Sequence, residues 1–217
     1  MKRLEQEMLA RIAQNRNVRS FEDYEPSQVF LDRQAKWPEK YKIPRSTWWD
    51  YPNYYNQPMM PEFHVHFRTE AKSTLQAMYD SYRAFLDGDV KRRNQKMLLA
   101  SRTFEGSMSV LQMHVAIEER RVFPSMQRAV KDVDMSFLYD DHQHLHQEEA
   151  ALTKCLSDIT SAFEKSGDEG EAEKAAFSRL FERLFESALK FDTTFMNHLG
   201  EEEELVVPVA LLHPLVI

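Results

Sequence analysis

Two stretches far apart in the chain carry the same arrangement of metal-binding residue types, and this repeat constrains the fold more than any other feature. One contains His114, Glu118, Glu119, Val122, Phe123 and Pro124; the other contains His198, Glu202, Glu203, Val206, Val207 and Pro208. Both read H-x3-E-E-x2-Φ-Φ-P, with Φ apolar. A helix turns about 100° per residue, so His and Glu four apart share a face and can bind one ion or bridge two. A second repeat, H-x-H-Φ-x-x-E, relates His64, His66, Phe67 and Glu70 to His142, His144, Leu145 and Glu148. His146 follows His142 by four residues, on the same expected face. The chain thus reads as two related helical hairpins, 61–130 and 135–212, whose folding together brings four histidine-bearing faces into one core.

Helical periodicity supports that reading. Phe177, Leu180, Phe181, Leu184, Phe185, Ala188, Phe191 and Phe195 recur at three- and four-residue steps. The pattern predicts helices over 61–86, 90–130, 135–165 and 171–211, with turns at Asp87-Gly88-Asp89 and at 166–170. Only 5 Gly occur in 217 residues, which disfavours a turn-rich β protein. Short connections between long helices imply antiparallel neighbours, so the expected fold is all-α, an up-down-up-down four-helix bundle over 61–217. Residues 1–60 form an N-terminal extension: a short amphipathic helix (Leu4, Met8, Ile12), then an irregular arm rich in proline and aromatics. Trp37, Trp48, Trp49, Tyr51, Tyr54 and Tyr55 lie there. So many aromatics are costly to expose, and the arm is expected to pack on the bundle or a partner.

The net charge of −7, with no basic run, argues against a nucleic-acid partner. Cys155 stands alone, so no intrachain disulfide forms and a reducing compartment is the default. Residues 1–15 are charged, without an apolar signal core. The longest apolar stretch, 205–217, is too short to cross a bilayer and contains Pro208 and Pro214. The expectation is a cytoplasmic protein without a membrane segment.

The candidate metal ligands are His64, His114, Glu118, His142, His146, His198 and Glu202. His66 and His144 sit two residues past proposed ligands, about 200° round the helix, and are expected to point elsewhere. Glu203 competes with Glu202, but five residues past His198 it reaches the same ion only if the helix widens, for instance by a π turn at Gly200. Phe104, Leu111, Phe191 and Phe195 precede the ligands by one to three turns and are candidates for a dry wall.

These residues resemble the hemerythrin/HHE cation-binding group. His64, Phe67 and Arg68 look like its opening H-x-x-F-R motif, and His114 and Glu118 with Phe123-Pro124 look like its second-helix motif. His142 and His146 resemble the paired histidines of oxygen-carrying hemerythrins, and His198 and Glu202 with Pro208 resemble the fourth-helix motif. Oxygen carriers close the site with an aspartate five residues after the last histidine, where this chain has Glu203. The resemblance, over about 61–212, implies two iron ions in a non-haem di-iron centre with an oxo or hydroxo bridge. It also implies O2, iron or another small oxidant as the ligand.

Three functions remain open on the sequence: a binding protein for O2 or iron, an O2-activating oxygenase or oxidase, and an iron- or oxygen-responsive interaction module. Ferritin-like oxygenases place E-x-x-H pairs on two helices. No E-x-x-H occurs here, and a histidine-rich site favours reversible binding.

Overall fold

Long runs poor in proline and glycine, with apolar residues at helical spacing, become long helices. The computed structural model describes residues 1–16, 26, 28–54, 60–165 and 170–213, and every regular element among them is helical. These are α1 (Lys2–Ala13), α2 (Gln28–Gln34), α3 (Met60–Leu86), α4 (Val90–Ile117), α5 (Phe123–Ala129), α6 (Ser136–Lys165) and α7 (Glu171–Leu212). Three 3-10 turns, Glu39–Tyr41, Arg45–Asp50 and Pro52–Tyr54, lie between α2 and α3, and a π turn, Glu118–Val122, joins α4 to α5. Tyr55 and the 166–169 part of the expected last turn lie outside the described residues. Among the described residues no helix is long and apolar enough to cross a membrane.

Local chemistry explains the helix ends. Gly88 takes φ 70°, a left-handed conformation that costs glycine nothing. The Gly88 N–H bonds the Phe85 carbonyl at 3.1 Å, and the Asp89 N–H bonds the Ala84 carbonyl at 2.9 Å, closing α3 as a Schellman motif. The Asp89 carboxylate then accepts the Arg92 N–H at 2.9 Å and caps α4.

The π turn sits where Pro124 approaches. The Phe123 N–H bonds the Glu118 carbonyl five residues back, and Pro124 has no N–H to continue an α register. Its ring would also strike the Arg120 carbonyl, and a wider turn relieves that clash. The expected uninterrupted helix over 90–130 is therefore divided at this point. In contrast, α7 carries Pro208 within a continuous α-helix that also runs straight through Gly200.

The chain divides into two compact units. One comprises 1–14, 69–109 and 145–194. Its core is aromatic: Phe163 meets Phe177 at 5.1 Å between ring centroids, and Tyr82 meets Phe185 at 5.3 Å. The buried Arg93 guanidinium lies 4.0 Å from the Phe163 ring centre.

The other unit comprises 15–68, 110–144 and 195–217. Here the N-terminal segment buries Phe30, Trp37, Tyr41, Trp48 and Tyr54, whereas Trp49 is 37% exposed. Phe30, Trp37 and Tyr41 pack with Val122, Phe123, Met126, Leu205, Val206 and Val209. Ile43, Trp48 and Tyr54 pack with Val207 and Leu211. Full burial of such a side chain stabilises by about 1.5–3 kcal/mol. The Trp48 indole N–H also donates to the Ile43 carbonyl at 3.0 Å, so its one polar atom is satisfied.

Candidate metal centre

The second unit holds the His and Glu groups that could bind metal. His64 projects from α3, His114 from the last turn of α4, Glu118 from the start of the π turn, His142 from α6, and His198 and Glu202 from α7. All are buried except His114, which is 11% exposed. Their ligand atoms form two groups: His64, His114, Glu118 and Glu202 in one, and Glu118, His142 and His198 in the other. Within each group the atoms lie within 4.8 Å of one another, and Glu118 belongs to both. Glu202 also stands between the groups, its Oε2 lying 3.6 Å from the Nε2 of both His64 and His198.

His64 and His114 share a hydrogen bond, with 3.0 Å between their Nε2 atoms, but the short separations around Glu118 and Glu202 are not hydrogen bonds. The His114 Nε2 is 2.5 Å from Glu118 Oε1, and the His142 Nε2 is 3.5 Å from Glu118 Oε2. Yet both oxygens of Glu118, both of Glu202, the His142 Nε2 and both ring nitrogens of His198 are buried without a hydrogen-bond partner. The atoms approach without the angular alignment that sharing a proton requires. Buried polar atoms are rarely left so, because each costs about 1–3 kcal/mol. Imidazole nitrogens and carboxylate oxygens converging in this way fit transition-metal cations, which would satisfy the carboxylate oxygens and one nitrogen of each imidazole.

Electrostatics point the same way. Burial works to raise the Glu118 carboxyl, but contacts and charge from His114 and His142 outweigh it and hold Glu118 well below the usual carboxylate range. Burial, followed by the charge on Glu118, drives Glu202 well above that range. Two carboxylates so close cannot both ionise in a dry site unless cations lie between them. Burial, and then His142, push the His198 imidazole well below its ordinary value. Burial also lowers His64, against the opposing pull of Glu203. Both are therefore neutral, the ligating form of imidazole.

A family model for the hemerythrin HHE cation binding domain matches residues 64–210. The chain belongs to the hemerythrin HHE family. No curated protein and no solved structure matches it significantly.

Both halves of the sequence repeat double their glutamate, as Glu118-Glu119 and Glu202-Glu203, and the second of each pair has a separate task. Glu119 lies 2.9 Å from the His142 Nδ1, and Glu203 lies 2.9 Å from the His64 Nδ1. A carboxylate accepts, so each Nδ1 carries the proton, and each Nε2 presents its lone pair toward the ligand group. The links cross over: the second glutamate of each sequence hairpin holds the histidine of the other. Glu203 is also bonded by Arg68 at 2.6 Å and by Arg45 at 2.6 Å. Burial would raise its carboxyl, but His64 and the arginines bring it down to about 2.

The apolar surround comes from three rings. Phe123 stacks on His142 with centroids 5.5 Å apart, Phe67 lies 5.4 Å from His114, and the exposed Phe63 lies 4.9 Å from His114. Of the expected wall, Phe195 packs on Phe67 at 5.9 Å and Leu111 is buried in the same unit. Phe104 and Phe191 instead pair with each other, at 5.2 Å, in the first unit.

His146 departs from expectation. It is 48% exposed, its Nδ1 is 3.2 Å from Glu149, and it joins neither group. The buried stripe of α6 steps from Leu138 to His142 by four residues but then to Leu145 by three. That leaves His146 about 100° past Leu145, on the outer face. His66 and His144 are exposed, as their angular positions require. His213 lies beside the Tyr41 hydroxyl at 3.1 Å. Glu203 is wholly buried without a π turn at Gly200, because its partners are His64, Arg68 and Arg45 rather than the face shared by His198 and Glu202. Neither Arg45 nor the histidine-holding task of Glu119 and Glu203 was identified from the sequence. The doubling of glutamate at equivalent places in the repeat was the available signal.

Proposed function

We propose that this hemerythrin HHE protein holds two non-haem iron ions and binds O2 or a related small oxidant at them. His64 and His114 would hold one iron, His142 and His198 the other, with Glu118 and Glu202 shared between them. The observation carrying this reading is the presence of Glu118 in both ligand groups. A residue common to two groups that each contain two histidines is what a pair of adjacent ions requires. The proposed setting is an antiparallel four-helix bundle over 61–217, formed by α3, α4 with α5, α6 and α7, carrying residues 1–60 as an extension.

Two irons held by these residues would supply two electrons together to a small oxidant. The protein's part is to orient, to exclude water and to manage protons. Glu119 and Glu203 fix the histidine tautomers through Nδ1. Phe67 and Phe123 exclude water from His114 and His142. Burial opposes charge on His142, but Glu118 and Glu119 outweigh it and raise the imidazole above its usual value. Together with the proton retained by Glu202, this means that loading with cations must release protons. A histidine-rich donor set favours reversible binding over strong oxidation, and the absence of any E-x-x-H pair supports the binding role.

Anaerobic titration with ferrous iron followed by admission of air tests the proposal. A stable absorption band that bleaches on removing O2 supports binding. Rapid decay accompanied by turnover of an added organic compound would replace binding with oxygenase activity.

A further inference from the structure

The repeat that makes the two halves of the centre alike also exposes how they differ. Glu119 and Glu203 occupy equivalent sequence positions and perform the same task on His142 and His64. Glu119 is 38% exposed, and the contact with His142 is the only hydrogen bond of its side chain among the described residues. Glu203 is wholly buried, and both of its oxygens are engaged: Oε1 by His64 and Arg68, Oε2 by Arg45.

Arg45 does not belong to any of the long helices. It opens the 3-10 turn Arg45–Asp50 of the N-terminal segment. Its Nη1 reaches Glu203 at 2.6 Å, its Nη2 reaches the Gly200 carbonyl at 3.0 Å, and its Nε donates to Glu204. One guanidinium thus grips three points of α7 across the turn that follows His198. Lysine lacks this planar fork. What holds Arg45 there is apolar: its guanidinium carbon lies 5.0 Å from the Trp48 ring centre, and Trp48 is buried with Ile43, Tyr54, Val207 and Leu211.

We propose that Arg45 is a positioning residue that latches the His64 half of the metal centre, so that docking of the segment around residues 39–54 and retention of metal at that half reinforce each other. The proposal rests on the two-iron reading above. Without Arg45, Glu203 loses the partner of its Oε2 and keeps only Arg68 and His64 on Oε1, so the acceptor that directs the His64 Nε2 is less firmly fixed. Loss of an outer partner of a ligating histidine typically weakens metal binding about 10- to 100-fold. The His142 half relies on a half-exposed glutamate alone and should exchange first.

The full chain, loaded anaerobically with ferrous iron, is mixed with excess chromogenic ferrous chelator. The wild type should release iron in two phases of equal amplitude. Arg45→Gln should accelerate the slow phase roughly 10- to 100-fold, while Glu119→Gln should affect only the fast one. A slow phase unchanged in Arg45→Gln overturns the latch. Release of both irons from the wild type in a single phase also overturns it, while leaving the two-iron reading intact. A wild type that takes up no iron overturns both. A second measurement needs no variant: amide hydrogen exchange over residues 39–54 of the wild type should slow about tenfold or more on iron loading. Equal exchange with and without iron overturns the coupling.

Discussion

Glu118 and Glu202 stand at matching places in the repeat, yet one is held ionised and the other holds a proton. The difference arises because two buried carboxylates repel each other and only one can settle against His114 and His142. Replacing either should cost metal. Glu202→Ala should lower iron content by at least one per chain, whereas Glu203→Gln should still reach full loading at saturating iron but release it faster. Elemental analysis of the two purified variants checks this, and full loading of Glu202→Ala would remove Glu202 from the ligand set. Asp141, next to His142, gives a prediction for pH. Burial, and then the charge of Glu201, push its carboxyl up to about 6 from an ordinary value of 3.8. The folded chain therefore binds a proton that the unfolded chain gives up. The stability contributed by this group is fully present below the ordinary value and is lost as pH rises through about 6. Asp141→Asn should therefore raise the melting temperature of the chelated protein at about pH 7.5 and leave it unchanged near pH 4. An equal shift at both pH values would show that the effect is packing rather than charge.

At the level of elements, caps and turns carry predictions independent of metal. Gly88 sits at φ 70°, where a Cβ meets no neighbour but strains the backbone. Gly88→Ala should cost about 1–2 kcal/mol in chemical denaturation. The Asp134 carboxylate accepts the Ser136 N–H at 2.9 Å at the start of α6, and Asp134→Ala should cost about 1 kcal/mol. The helices also show what could be read from residue order. His64, His114, Glu118, His142, His198 and Glu202 were identifiable because a fixed angular step projects each onto a face, and the repeat tied the four faces together. His146 was misplaced because a buried stripe advances by three or by four residues, and spacing alone does not say which comes next. A π turn at Gly200 was required only if Glu203 were a ligand, and α7 runs through Gly200 without one; the π turn formed instead beside Pro124, where the lost N–H demanded it. Arg45 lies in a segment without periodicity, so nothing in its local sequence projects it toward α7. Its place depends on where Trp48 and Tyr54 find apolar surface.

For the molecule as a whole, metal and fold should be linked. The orphaned atoms of Glu118, Glu202, His142 and His198 are a cost of folding that bound cations would relieve. Ligands that bind only the folded state stabilise it by mass action. Iron loading should therefore raise the melting temperature, and chelation should lower it. Protons compete for the imidazoles, so iron should dissociate progressively as pH falls through about 6.5. Unchanged melting on chelation would show that the fold does not depend on the metal. The most direct test of the account is the stoichiometry of iron in the full chain after anaerobic reconstitution and removal of excess metal. Six buried or nearly buried ligands in two groups sharing Glu118 predict two irons per chain. A single iron, or a single zinc from iron-replete expression, would contradict it.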